Sequence, residues 1–176
     1  MVKIIKFFGY FFFFILALMF FMPKMNVYYY AEQELKKHQV IVSNEEIADK
    51  GLSLSVKNMD VSFKEIESAK VENFEVELFF LYNSITASNI ELASIAASFF
   101  PTKVDRIDIK YTVLNPLKIL AEAKGEFGDA TAELSILDRN ISTVMKPSKL
   151  MLQKHSKTLS MMKKQANGEY IYVKTF

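Results

Sequence analysis

The chain opens on one unbroken apolar block and then changes to short alternating runs. Phe7 to Met22 carries no charge and no strongly polar side chain, with Lys3 and Lys6 before it and Pro23 and Lys24 after it. As a helix rising ~1.5 Å per residue, this run spans ~24 Å, slightly less than a ~30 Å hydrocarbon core. Ile4 and Ile5 lengthen it if Lys6 snorkels toward the headgroups. The pattern predicts a membrane anchor over residues 1–30. It is built on Phe7, Phe8, Phe11, Phe12, Phe13, Phe14, Ile15, Leu16, Leu18, Phe20 and Phe21, with Tyr28, Tyr29 and Tyr30 near the far interface. A cleaved secretory signal and a buried core helix compete with this reading. Cleavage needs small residues at the last and third-from-last positions, and Ile15 or Tyr29 fills the second of these.

Beyond the block, residues 31–38 predict a short helix leaving the membrane, and Gln39 to Ser43 a strand. Ser43 to Glu46 has capping-box spacing, so a helix of one or two turns is expected there, ended by Gly51. Leu52, Leu54 and Val56 then alternate with polar residues. Met59, Val61 and Phe63 continue on the opposite parity, which requires a bulge or turn near Lys57 and Asn58. Phe74, Val76, Leu78, Phe80 and Tyr82 share one face of a further strand. Asn83 to Asn89 continues as another, and Ile90 to Phe100 fits either a strand or a helix. Alternation is clearest in Ile107, Ile109, Tyr111 and Val113, and again in Ile119, Ala121, Ala123 and Phe127. Gly128 and Asp129 mark a tight hairpin, and Asp138 to Asn140 the next turn. Ser148 caps an expected amphipathic helix to about Ala166, and Glu169 to Val173 reads as a closing strand. The fold class expected is α+β and mainly antiparallel β: one transmembrane helix, a curved antiparallel sheet over 31–176, and a C-terminal amphipathic helix.

Composition sharpens this division. The first 30 residues hold 24 apolar positions, whereas the remaining 146 have the ordinary make-up of one soluble domain. Residues 28–98 carry six Lys against twelve acids, and residues 146–176 seven Lys against one Glu. The body is therefore acidic and the tail basic. Lys149, Lys154, Lys157, Lys163 and Lys164 are candidate contacts for a partner or for lipid headgroups, unless they are simply solvated or face the acidic strands. With Lys3 and Lys6 holding the N-terminus in the cytoplasm, the rest of a bacterial protein lies in the periplasm, anchored to the inner membrane.

Catalytic chemistry finds little support. The chain has no Cys, which removes disulfides, thiolate metal sites and a cysteine nucleophile. Its five glycines form neither a phosphate loop nor a dinucleotide fingerprint, and His38 and His155 stand alone. No cofactor or metal is expected, and a net charge of +2 gives no argument for nucleic acid. The apolar residues between 74 and 100 have two readings, a closed core or the lining of a groove for acyl chains.

Several segments carry a resemblance: YYYAEQEL (28–35), VSNEEI (42–47), FFPTKVD (99–105), IKYTVLNPL (109–117), AKGEFGD (123–129), LDRNI (137–141) and KPS (146–148). Together they resemble the type II secretion protein N family, whose architecture is similar to that of AsmA-like envelope proteins. The resemblance implies a non-enzymatic inner-membrane protein with a periplasmic β-rich domain, acting by contacts with protein partners in a secretion or envelope-transport assembly. The alternative function is a lipid-binding or lipid-transport module.

Overall fold

The computed structural model describes residues 2–79 and 81–176. Phe80, expected on the apolar face of a strand, lies outside the described residues. Two helices come first, α1 (Val2–Phe21) and α2 (Lys24–Lys37). Strands β1 (Val40–Ser43), β2 (Glu46–Asp49), β3 (Ser53–Phe63), β4 (Ile66–Leu78) and β5 (Tyr82–Leu92) follow, then a 3₁₀ turn over Ser94–Ser98. Next come β6 (Lys103–Thr112), β7 (Lys118–Gly125), β8 (Gly128–Ser135) and β9 (Asn140–Pro147). Short helices α3 (Lys149–Lys154) and α4 (Ser156–Leu159) lead to β10 (Lys163–Lys164) and β11 (Tyr170–Thr175).

Among the described residues, eleven strands form one antiparallel sheet in the order β1-β3-β4-β5-β6-β7-β8-β9-β11-β10, with β2 also paired to β3. The meander follows from the turns: each run of alternating residues meets Gly, Asn, Asp or Pro before the next begins. Register aligns the apolar positions into rows across the sheet. Val56, Phe74, Ala87, Ile107, Ala123, Ala130 and Met145 form one row, and Leu54, Val76, Ile85, Ile109, Ala121 and Ala132 the next. The opposite face carries Glu75, Thr86, Asp108, Glu122 and Thr131 in register.

The parity change expected near Asn58 is present and extends across neighbouring strands. Asn58 takes φ 53° and Asn89 φ 54°, in the left-handed region that Asn tolerates better than most residues. On the near side of this line the inward residues are Val56, Phe74, Ala87 and Ile107; beyond it they are Met59, Val71, Ile90 and Val104. The last four are each 7% exposed or less and form the buried core with Leu54, Val56, Phe127, Met145, Met151 and Leu159. Helices α3 and α4 seal that half, with the Thr158 hydroxyl donating to Phe99 O at 2.7 Å.

Five expectations need correction. The helix predicted after Ser43 is strand β2, because a turn of helix does not recover its nucleation cost while pairing with β3 gives Glu46–Asp49 a ladder and tucks Ile47 against the core. The short helix expected at 31–38 begins at Lys24, so Tyr28, Tyr29 and Tyr30 lie on α2. Tyr82 belongs to β5, after the 79–81 connection, and the Gly128 hairpin turns at Glu126 and Phe127. The single amphipathic helix from Ser148 to Ala166 is two short helices and a two-residue strand. Ser148 does cap it, accepting from Met151 N, but the helix breaks at His155. Its lysines have no acid at helical spacing to support a longer one, and Lys163–Lys164 pair with β11 instead.

Ile90→Ala should lower the unfolding free energy by ~2–5 kcal/mol in denaturant titration, whereas exposed Ile95→Ala should change it by less than ~0.5 kcal/mol. Asn89→Val should cost ~1–3 kcal/mol and Asn89→Gly far less, since only the first forces a branched side chain into a left-handed backbone.

Candidate functional site

Helix α2 runs along the other half of the apolar face. Lys24, Val27, Tyr28, Ala31, Glu32 and Leu35 recur at helical spacing on its inward stripe. Between this stripe and the sheet lies a groove of about 440 Å³. Its floor is Leu54 on β3, Phe74, Val76 and Leu78 on β4, Ile85 on β5, Ile109 and Tyr111 on β6, and Ile119 on β7, with Val40 and Val42 of β1 as a side wall. The volume falls within the ~300–1,000 Å³ of small-molecule sites. A second hollow shares Val27, Leu78 and Asn83 with the groove and adds Leu18, Met19, Met22 and Phe79, so the groove borders the end of α1.

The join between α1 and α2 is fixed by a buried cation. Pro23 ends the first helix, leaving terminal carbonyls without intrahelical donors. Lys24 is 1% exposed, and its ammonium donates to Met19 O at 3.2 Å and to Phe20 O and Met22 O at 3.4 Å, with Asp49 at 4.0 Å. A positive charge at a helix C-terminus also meets the negative end of the dipole. The Phe20 ring packs against Gly51, whose φ of +83° turns the chain from β2 into β3; a Cβ there would lie 2.5 Å from the ring.

One polar atom of a groove-lining residue is unpaired. The Tyr28 hydroxyl is buried and has no hydrogen-bond partner. Desolvation, followed by the nearby charges of Glu45 and Glu32, pushes its pKa up to about 12. Glu32 itself is held by Lys36 at 2.6 Å. The groove thus offers hydrocarbon-compatible walls, with the Tyr28 hydroxyl enclosed among the residues that line them. The other orphaned polar atom, His155 Nδ1, sits at the α3–α4 break, away from the groove.

The residues expected as an anchor, Phe7 to Phe21, lie on α1, which is long and apolar enough to cross a membrane and whose span is unburied by the rest of the chain. Lys149, Lys154 and Lys157 are exposed on α3 and α4, and Lys163 and Lys164 on β10. The length of β9 separates them from the α1 end of the sheet, ~25 Å at ~3.3 Å per residue. The sheet order also keeps them from the acidic residues of β4, and among the described residues they form no ion pair. They are not brought together with the groove. The α2 stripe was missed because residues 24–30 were read with the membrane; the spacing of Lys24, Val27, Tyr28 and Ala31 carried the signal.

No family model, curated protein or solved structure matches this chain.

Tyr28→Phe should leave stability near neutral pH unchanged or slightly raised, since it removes an unpaired buried hydroxyl. Because the folded pKa lies above the unfolded value near 10, the wild-type contribution is present below pH ~10 and is lost as pH rises toward about 12. Denaturant titrations from pH 9 to 12 should therefore show a steeper alkaline loss for the wild type than for Tyr28→Phe.

Proposed function

We propose that this protein is a single-pass, membrane-anchored module that holds an acyl chain of a membrane lipid in the groove beneath α2. The observation that carries the reading is the groove itself, walled by aliphatic and aromatic side chains across six strands and bordering the last turn of α1. A soluble metabolite would need several convergent polar groups for orientation; hydrocarbon needs only dry apolar walls. In this reading the left-handed residues Asn58 and Asn89, where the inward parity changes, are the places at which the sheet bends toward the groove. In this reading α1 lies in the inner membrane of a bacterium with its N-terminus in the cytoplasm, and the sheet stands in the periplasm.

The resemblance to type II secretion protein N supports a second reading, in which the domain is an accessory component of a secretion assembly. The observation favouring it is the outer edge of β11. Strand β10 covers only Tyr170 and Ile171, leaving Tyr172 to Thr175 open to an added strand from a protein partner.

The test is photo-crosslinking of the full chain in vesicles containing a phospholipid with a diazirine on its acyl chain. Adducts should map to β4, β5 and β6 as well as α1. Ile85→Trp, which fills the groove, should reduce the strand adducts several-fold and leave those on α1 unchanged. Adducts confined to α1 would overturn the lipid reading. A reporter active only in the cytoplasm, fused to Phe176, should be silent; strong signal would reverse the topology.

A further inference from the structure

Successive antiparallel connections alternate between the two ends of the sheet, and the ends differ. The end next to α1 bears the β2–β3, β4–β5, β6–β7 and β8–β9 turns together with the C-terminus. Backbone hydrogen bonds link the last three turns and the C-terminus into one row: Val113 N donates to Leu81 O at 3.1 Å, Ile136 N to Leu117 O at 2.8 Å, and Phe176 N to Arg139 O at 3.0 Å. The β2–β3 turn and every member of the row present a large apolar side chain to the exterior. Leu52 and Leu81 are 43% and 52% exposed, Leu114 86%, Leu137 74% and Phe176 65%. Turn tips ordinarily carry polar residues, and a contiguous apolar row on a surface marks a contact. At the other end, Lys64 and Glu65 form the β3–β4 turn and Glu126 is exposed in the β7–β8 turn, although Phe63 and Ile66 beside the first turn and Ile95 and Phe99 in the connection between β5 and β6 are also exposed.

This row continues the anchor. Leu18 and Met19, inside the apolar run, line one hollow with Phe79 of the β4–β5 connection, and the Phe20 ring lies on Gly51 beside Leu52. The β2–β3 and β4–β5 turns therefore stand beside the last turn of α1, where on this reading the hydrocarbon ends and headgroups begin, and the hydrogen-bonded row continues the same end of the sheet. Arg139 and Tyr82, both exposed at the same end, have the side-chain types that reach headgroups from that depth. Lys24 holds α1 to the domain through the three carbonyls, so this alignment is built into the fold. We infer that the leucine-tipped turns insert into the leaflet around the C-terminal end of α1, seating the sheet end-on upon the bilayer. The occupant of the row is lipid. The inference rests on α1 being a membrane anchor and is independent of what fills the groove.

The absence of cysteine makes the test direct. Single variants Leu114→Cys, Leu137→Cys, Phe13→Cys and Lys64→Cys of the full chain are labelled with an environment-sensitive fluorophore and reconstituted into phosphatidylcholine vesicles with and without doxyl-labelled phosphatidylcholine. Quenching by the doxyl lipid should be strong at Phe13, comparable at Leu114 and Leu137, and absent at Lys64. Quenching at Phe13 with none at Leu114 and Leu137 overturns the inference, whether those probes are open to aqueous iodide or are shielded by a protein contact. Absence of quenching at Phe13 overturns the anchor and the inference with it.

Discussion

A wide antiparallel sheet has one apolar face, and that face must be covered. Here register stacks inward residues into rows running from β3 to β9, an area far larger than one short helix can occupy. The chain resolves this unequally. Helices α3 and α4 and the 3₁₀ turn close the half containing Met59, Val71, Ile90 and Val104. Over the half containing Val76, Ile85 and Ile109 there is only α2, which stands off far enough to leave the groove. At ~25 cal/mol per Å² of apolar surface, an acyl chain entering that space gains what water cannot supply.

The groove owes its position to the helix join. Were Lys24 a surface residue, α1 and α2 would be two rods on a hinge. Its ammonium instead satisfies the terminal carbonyls of α1 from beneath, at the first position of α2. The end of α1 is thereby tied to α2, which packs on β1, β2 and β3. This gives the lipid reading its route: a chain leaving the bilayer beside Leu18 and Met19 meets Val27 and Leu78, which belong to both hollows.

Much of this architecture was legible in the residues. Alternation in Ile107, Ile109 and Tyr111, and in Ile119, Ala121 and Ala123, located β6 and β7, because a half-buried strand has no other pattern available. The parity change at Asn58 was visible for the same reason. Its counterpart at Asn89 was not, since Asn83 to Asn89 has too few apolar positions to register a phase. Local signals failed where pairing overrode them. Ser43 to Glu46 has a capping box, yet β3 was long enough to bind both β1 and β2. The lysine-rich tail had a helical stripe, but only Met151, Thr158 and Leu159, with His155, are buried, and the rest of the chain returns to the sheet. The groove was half legible. The apolar excess between 74 and 100 left a core and a lining equally open, and the distance at which α2 packs is a tertiary quantity that no spacing encodes.

The apolar groove and its border with the end of α1 converge on the proposal that the folded protein carries hydrocarbon. The most direct measurement is the intact mass of the full chain released gently from its own membranes in the gas phase. The account predicts the polypeptide plus a discrete acyl-lipid mass, which survives at energies that strip detergent and is absent from Ile85→Trp. A wild-type chain observed only at its bare mass, under conditions that preserve a known lipid complex, would contradict it.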